Sequence, residues 1–370
     1  MRQLQFGYWD AVSSPDEGET YSDVYEQHIA LAKRLEDLGF DSYFVIEHQN
    51  RPSDIITSPT VYLTAVARAT SRLRLGTMMY QLPFHHPIRL AQEVALLDQL
   101  SKGRVEFGSG LGVHEHEFIR WNMSYAERAK VSEEVLALVR LAWTQREVTF
   151  DGQYFKFDEA LPSPPPYQKP TPPLWSAAHS EASMIFAAKN NLGIAKNLDT
   201  DDVVLQRFDL YRETWHASGH AGQLPGIFLQ RAVHVAETDD KAHEEARRYL
   251  ATGGPRHQKS GLSQTRIGWG SNARGMGADS ERADNKARGA TIARAAEDYE
   301  FNIENGLAIV GSPQTVAERI INTREKLGFT LFTSAHHIGA MPKELVDNSI
   351  DLFGSEVIPL VRASERCEAS

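Results

Sequence analysis

The chain has 370 residues, 41% of them hydrophobic and 24% charged, with a formal net charge of −10. This is an ordinary water-soluble composition, and its acidic balance leaves no electrostatic footprint for nucleic acid or an anionic membrane. The lone cysteine, Cys367, excludes an intramolecular disulfide and a cysteine-rich metal centre. With no apolar signal core in MRQLQFGYWD and no run approaching ~18 apolar residues, the expectation is a cytoplasmic chain with no membrane span.

Leu4 to Tyr8 reads as an apolar strand ended by Trp9-Asp10, and Tyr21 to Leu38 carries apolar residues at helical spacing up to Gly39. Ser42 to Ile46 is a second strand, ending in Glu47-His48-Gln49-Asn50; Pro59 to Ala69 is a helix; Leu73 to Thr77 begins a third strand, followed by Met78-Met79-Tyr80. A helix opened by Pro87 leads into LLDQLSKGRVEFGSGLG, where the strand Val105 to Phe107 breaks into Gly108-Ser109-Gly110-Leu111-Gly112. Such glycines serve either a tight turn or the close approach of a flat or phosphorylated ligand. A dinucleotide-binding fingerprint fits less well, because its third glycine would fall at Val113.

Ala126 to Trp143 is a long amphipathic helix, Val148 to Phe157 a hairpin around Asp151-Gly152, and Pro162 to Pro173 a stiff connector. Strands at Leu174–Ala177, Gly193–Lys196 and Phe228–Val235 alternate with helices at Ser180–Asn190, Asp201–Ala217 and Asp239–Leu250. Residues 253–289 are glycine-rich, charged and without apolar periodicity, a long loop of the kind that serves as a lid. Helices follow at Ile292–Asn305 and Gln314–Lys326, then an eighth strand, Thr330–Thr333, ending at His336-His337, and a closing helix, Lys343–Val361. Eight strands each followed by helix read as a (β/α)8 TIM barrel, a single domain over 1–370 with 253–289 as its lid.

In such barrels the chemistry lies at the C-terminal ends of the strands. Of 14 histidines, eight fall just after predicted strands: His48, His85, His86, His114, His116, His179, His336 and His337. On an extended segment His114 and His116 share a face, which suggests a metal. No HExxH pattern accompanies them, so no metal is expected, and His85, His86, His116 and His337 read as hydrogen-bonded loop residues. Ser180 and Ser183 open a helix, where they form either an N-cap or an anion site. Tyr8, Trp9 and Tyr80 pass the strand ends, where they suit a pocket for a flat apolar substrate.

Four segments carry a resemblance: LGFDSYFVIEHQ, LRLGTMMYQLPFHHPIRLAQEVALLDQLSKGRVEFGSGLG, HSEASMIFAA and VGSPQTVAERI. They resemble the bacterial luciferase-like flavin monooxygenases, whose fold is a (β/α)8 barrel with an added loop. The resemblance implies reduced FMN supplied by a separate flavin reductase, and oxygenation of a small organic substrate by O2 through a flavin C4a-hydroperoxide. It implies His48 as the catalytic histidine, with Gln49 where the family has a second histidine. It places a non-proline cis peptide at Met78-Met79 beneath the flavin ring, Gly110 near the ring's reactive edge, and Ser180 and Ser183 near the phosphate. Many relatives place an arginine where this chain has Leu111, leaving His179, His114 and the helix N-terminus as substitutes for its charge. Arg274 and Lys286 are further candidates for the phosphate or a partner. The family's dimer face falls on the helices over 57–69 and 87–101, with Val61, Ala65, Val94 and Leu97, and implies a homodimer. Two other readings stand beside this one: a deazaflavin-dependent hydride-transfer enzyme, and a flavin-binding protein without turnover.

Overall fold

The computed structural model describes residues 3–49, 54–251 and 279–368. Its strands are β1 (Gln5–Asp10), β2 (Ser42–Val45), β3 (Arg74–Gln81), β4 (Val105–Gly110), β5 (Val148–Asp151), β6 (Lys156–Ala160), β7 (Leu174–Ala177), β8 (Gly193–Lys196), β9 (Ile227–Val235), β10 (Ala308–Gly311) and β11 (Leu331–Ala335). The main sheet runs β10-β9-β11-β1-β2-β3-β4-β7-β8, and β9 also pairs with β8, which closes the sheet. With helices between its strands, this is the expected (β/α)8 barrel. The sequence reading missed β10, a four-residue apolar strand that pairs with β9 from Ala308↔Ala232 to Gly311↔Val235. The hairpin β5–β6 forms a separate antiparallel sheet, as expected.

The helices are α1 (Tyr21–Asp37), α2 (Pro59–Ala69), α3 (Pro87–Ser101), α4 (Glu115–Arg120), α5 (Arg128–Thr144), α6 (Glu181–Lys189), α7 (Asp201–Ala217), α8 (Asp239–Arg247), α9 (Asp279–Ala295), α10 (Tyr299–Glu304), α11 (Pro313–Leu327), α12 (Lys343–Leu352) and α13 (Ile358–Glu368). Their ends follow local chemistry. In α11, Ser312 accepts from the Thr315 amide, Pro313 occupies the first turn, and Gly328 closes the helix in the left-handed region at φ 67°. The closing helix is broken by a wider turn at Phe353–Val357. A Cβ on Gly354 would lie 2.6 Å from Leu38 Cβ, so glycine lets this turn lie against the end of α1. Residues 253–278 of the predicted 253–289 lid lie outside the described residues, but 279–289 are helical. The half-buried face of this stretch and the turn after it carries Asp284 and Arg288, so no apolar stripe betrays it.

Contacts divide the chain into two compact units, Val12–Lys33 with Phe44–Ala177, and Met1–Ala11 and Arg34–Tyr43 with Ala178–Ser370. In the first, the glycine stretch is a continuation of β4, not a turn after it. It pairs with β3, whose register shifts between Thr77 and Tyr80 around the cis Met78-Met79 peptide. A Cβ on Gly108 would lie 2.2 Å from the Thr77 carbonyl oxygen, and one on Gly110 2.5 Å from Met79 Sδ. The glycines therefore admit the neighbouring strand.

In the second unit, strand alternation decides which aromatics line a pocket. Phe6 and Tyr8 share a face of β1, and Phe6 meets Phe353 of the closing helix edge-on at 6.0 Å. Tyr8 has no exposed surface and is enclosed by Phe40, Tyr43 and His336. Tyr80, in the first unit, is likewise buried: its hydroxyl meets Thr60 Oγ1 of α2 at 2.8 Å and its ring stacks on Phe107. Neither ring presents a face to a substrate, which corrects the expectation for Tyr8 and Tyr80. Trp9 points the other way, partly exposed and edge-on to Phe228.

Gly108 abuts backbone, whereas Gly110 abuts a flexible thioether. We therefore expect Gly108→Ala to destabilise the fold by roughly 2–3 kcal/mol in urea unfolding, and Gly110→Ala by less than half of that.

Candidate active site

Two polar clusters stand at the C-terminal ends of barrel strands, one in each unit. In the first, β2 delivers Glu47, His48 and Gln49, β3 delivers Gln81, and α4 delivers Glu117. The Glu117 side chain is fully buried, and its Oε1 lies 2.9 Å from His48 Nδ1. Its Oε2 accepts from Gln81 Nε2 at 2.9 Å and from the Gln49 amide at 3.3 Å. Burial pushes this carboxyl up, but the His48 hydrogen bond, the charges of His48 and His114 and the Gln81 amide outweigh it and hold it at about 2. An ionised Glu117 fixes the His48 ring: with Nδ1–H donating to the carboxylate, Nε2 is left to take or give a proton.

Glu47 is the second buried carboxylate. It accepts from the Gln81 amide at 2.8 Å, from Gln49 Nε2 at 2.8 Å and from His85 Nε2 at 2.9 Å. Burial pushes His85 down, but Glu47 outweighs it and leaves the ring above its ordinary value. Gln81 links the two acids, because its Nε2 also reaches the Glu47 carbonyl at 3.0 Å. Gln49 braces this network through Glu47 and the Thr57 carbonyl.

His114 caps α4, its ring centroid 5.1 Å from that of His48 and 5.4 Å from that of His116. His114 is extended but Glu115 and His116 are helical, which corrects the reading of all three as an extended segment. The residues whose ligand atoms gather within 4.8 Å of one another are His48, His114 and Glu117, and His116 is not among them. Met78 is buried and Met79 partly exposed, and the peptide between them is cis as expected. His86 caps α3, and His336 is buried against Phe353, so these two of the eight histidines serve packing and capping.

In the second cluster, Ser180 and Ser183 form a reciprocal capping box on α6: Ser180 Oγ accepts from the Ser183 amide at 3.2 Å, and Ser183 Oγ from the Ser180 amide at 3.0 Å. An anion already sits at this helix start. The Asp284 carboxylate of α9 accepts from the Glu181 amide at 3.2 Å and from Arg207 Nη2 at 2.9 Å. Beside it, Lys196 Nζ donates to Asp199 at 2.7 Å, and Arg288 Nε approaches the same carboxylate at 3.4 Å. Burial lowers Lys196 to about 8. Burial would raise Asp199, but His179, Lys196 and Arg288 hold it well below the carboxylate range.

His179 does not supply the expected positive charge, because burial and the Arg288 guanidinium push it down to about 3. The cations here are Arg207, Lys196 and Arg288. Lys286 is exposed, and Arg274 lies outside the described residues.

Glu117 was legible in principle: an acid three residues after a capping His114, ahead of Phe118-Ile119, is a helix-start pattern. Lys196 and Asp199 carried a weaker signal, a lysine ending an apolar strand with an acid three residues on. Nothing local marks Arg207, Arg288 or Asp284.

The chain matches the luciferase-like monooxygenase family over residues 4–331. It belongs to that family. It is 25% identical over 353 residues to limonene 1,2-monooxygenase of Rhodococcus erythropolis, covering 90% of this chain and 80% of that one. It is 26% identical to the oxygenase component of the flavin-dependent trigonelline monooxygenase of Acinetobacter baylyi, over 66% of this chain and 68% of that one. Among solved structures, the FMN complex of the oxygenating constituent of 3,6-diketocamphane monooxygenase from Pseudomonas putida aligns with a TM-score of 0.76, at 22% identity, over 97% of this chain and 99% of that one. An F420-dependent secondary alcohol dehydrogenase aligns with a TM-score of 0.68, at 20% identity, over 97% and 99%. The chain is thus an enzyme of a flavin monooxygenase family whose fold also serves F420 enzymes. No helix among the described residues is long and apolar enough to cross a membrane.

Glu117 is ionised above about 2 in the fold and above about 4.5 when unfolded, so its contribution to stability is complete above pH 5 and falls away towards pH 2. The stability gap between the wild type and Glu117→Gln, on the order of 1–3 kcal/mol at pH 7, should narrow steadily in urea titrations between pH 4.5 and pH 2.

Proposed function

We propose that this enzyme is the oxygenase component of a two-component system. It would insert one oxygen atom from O2 into a small organic substrate, using reduced FMN delivered by a flavin reductase. The observation that carries the reading is the His48–Glu117 pair: an imidazole held in one tautomer by a buried, ionised carboxylate at a strand end. Reduced FMN, when bound, supplies the activation of oxygen. His48 Nε2 holds or moves the proton that oxygen transfer requires. Glu117 orients His48, and Gln81 and Glu47 hold Glu117 in place.

The residues suit an FMN. Met79 is partly exposed near the end of β3, and Gly110 of the neighbouring strand adds no side chain there, which supports a ring seat. The start of α6 with Arg207 already holds a carboxylate, so the same donors suit a phosphate. Within the second unit Arg207 is the cation suited to that phosphate, with Ser180 and Ser183 at the same helix start. Trp9 remains the candidate pocket aromatic, and His114 stands next to His48.

We also propose a homodimer through α2 and α3. Val61 and Ala65 are exposed, whereas Val94 and Leu97 are buried in the protomer, and Leu96 and Leu100 take their place on the outer face. Replacing Val61 and Leu100 together by Asp should yield a folded monomer in analytical ultracentrifugation; a monomeric wild type would refute the dimer.

The discriminating experiment is an anaerobic titration with reduced FMN and with reduced F420, followed by oxygen and a panel of aldehydes, ketones, terpenes and phenols. Oxygenated product with FMN is the expected result; tight F420 binding with hydride transfer and no oxygenation would overturn it. His48→Ala should lower coupled oxygenation by about 10²-fold or more while leaving FMN affinity within a few-fold. Arg207→Ala should weaken FMN at least tenfold and riboflavin, which lacks the phosphate, hardly at all.

A further inference from the structure

We propose that His48, His114 and Glu117 form a binding site for a divalent transition ion of the zinc class, and that the ion reversibly blocks the enzyme. The second half of this rests on the role given to His48 above; the first half does not. Two imidazoles and one carboxylate offer ligand atoms that all lie within 4.8 Å of one another. In a tetrahedral zinc site, bond lengths of about 2.0–2.2 Å set neighbouring ligand atoms a little over 3 Å apart. The His48 Nδ1 to Glu117 Oε1 separation of 2.9 Å is already of that size. An ion entering the site would take the place of the proton between His48 Nδ1 and Glu117 Oε1 and draw the His114 ring inwards.

The electrostatics favour a cation. Glu117 is ionised and fully buried, so its negative charge and desolvation are in place before any ion arrives. Gln81 Nε2 and the Gln49 amide bind its other oxygen, a supporting shell that keeps Oε1 directed at the imidazoles. The His48 and His114 rings lie 5.1 Å apart and tilted by 51°, an arrangement in which two imidazolium charges repel but two neutral rings can share one cation. The ligands come from two separate elements, the end of β2 and the start of α4, so the set depends on the fold. His48 keeps 16% of its side chain exposed, which gives an ion a path from solvent and leaves a coordination position open.

Two nitrogens and one oxygen suit Zn2+, Co2+, Ni2+ or Cu2+ over Mg2+ or Ca2+, which want oxygen ligands. With its nitrogen on the ion, His48 has no free lone pair for proton transfer, and oxygenation stops until the ion is chelated.

The test is a Co2+ titration of the chelator-treated protein, read by visible absorption, followed by Zn2+ competition. The wild type should take up one Co2+ with the absorption of a low-coordinate nitrogen-oxygen site, and Zn2+ should displace it. His114→Ala and Glu117→Gln should each weaken that binding at least tenfold, with folding verified by thermal melts in EDTA. Histidine-rich surfaces bind such ions nonspecifically, so unchanged affinity and stoichiometry in both variants would overturn the site, as would the absence of a 1:1 complex. Oxygenation by the wild type should fall with Zn2+ occupancy and return with EDTA. Stoichiometric binding with undiminished activity would leave the ion site standing and overturn the blocking role together with the part assigned to His48.

Discussion

A buried, ionised Glu117 organises the chemical end of the first unit. A carboxylate without solvent exposure persists as an anion only where donors surround it. Here His48, Gln81 and the Gln49 amide are those donors, and each is thereby fixed in turn. Gln81 then couples Glu117 to Glu47, and Glu47 holds His85 and Gln49. Two acids with one amide between them thus position two histidines and tie the ends of β2 and β3 to α4. Removing either acid would take an acceptor from several buried donors at once, a cost larger than that of any single bond.

The same unit depends on a second constraint, the close approach of β3 and β4. The backbone around Met78-Met79 lies so near its neighbour that a Cβ at Gly108 would fall inside the contact distance of a carbonyl. The glycines of β4 therefore have a structural cause sufficient in itself. Their relation to a ligand is indirect: they let the Met78-Met79 segment take its position, and that segment leaves Met79 partly exposed.

The barrel was legible because apolar runs and helical periods report burial, which dominates a parallel sheet with helices on its outer face. Strands such as Leu174–Ala177 and Gly193–Lys196 agree to the residue, since short buried runs between strong turn signals leave little freedom. β10 was missed because four apolar residues after Gly306 are too few to separate from a loop. The part of α9 before Ile292 was missed because its half-buried side chains, Asp284 and Arg288, are charged and make no apolar stripe. The cis Met78-Met79 peptide was expected from the family resemblance, whereas Tyr8 and Tyr80 were misplaced by ignoring which face of a strand each occupies. Asp284 and Arg207 are 77 residues apart and meet only through the fold, so no local pattern could pair them.

Charge accounts for the second cluster as acceptors account for the first. Three cations stand in this cluster, and each is already matched. Arg207 faces Asp284 and Glu181, while Lys196 and Arg288 share Asp199. Lys196 and Asp199 are the more deeply buried pair, and separating them would strand two charges in a low dielectric. Arg207 differs, because its partner Asp284 belongs to α9 and is partly exposed. Exchanging that carboxylate for another anion leaves the guanidinium and the Glu181 amide satisfied and returns Asp284 to water. Of the three cations, Arg207 is therefore the one whose counter-ion is cheapest to replace, and the one through which an incoming anion gains most.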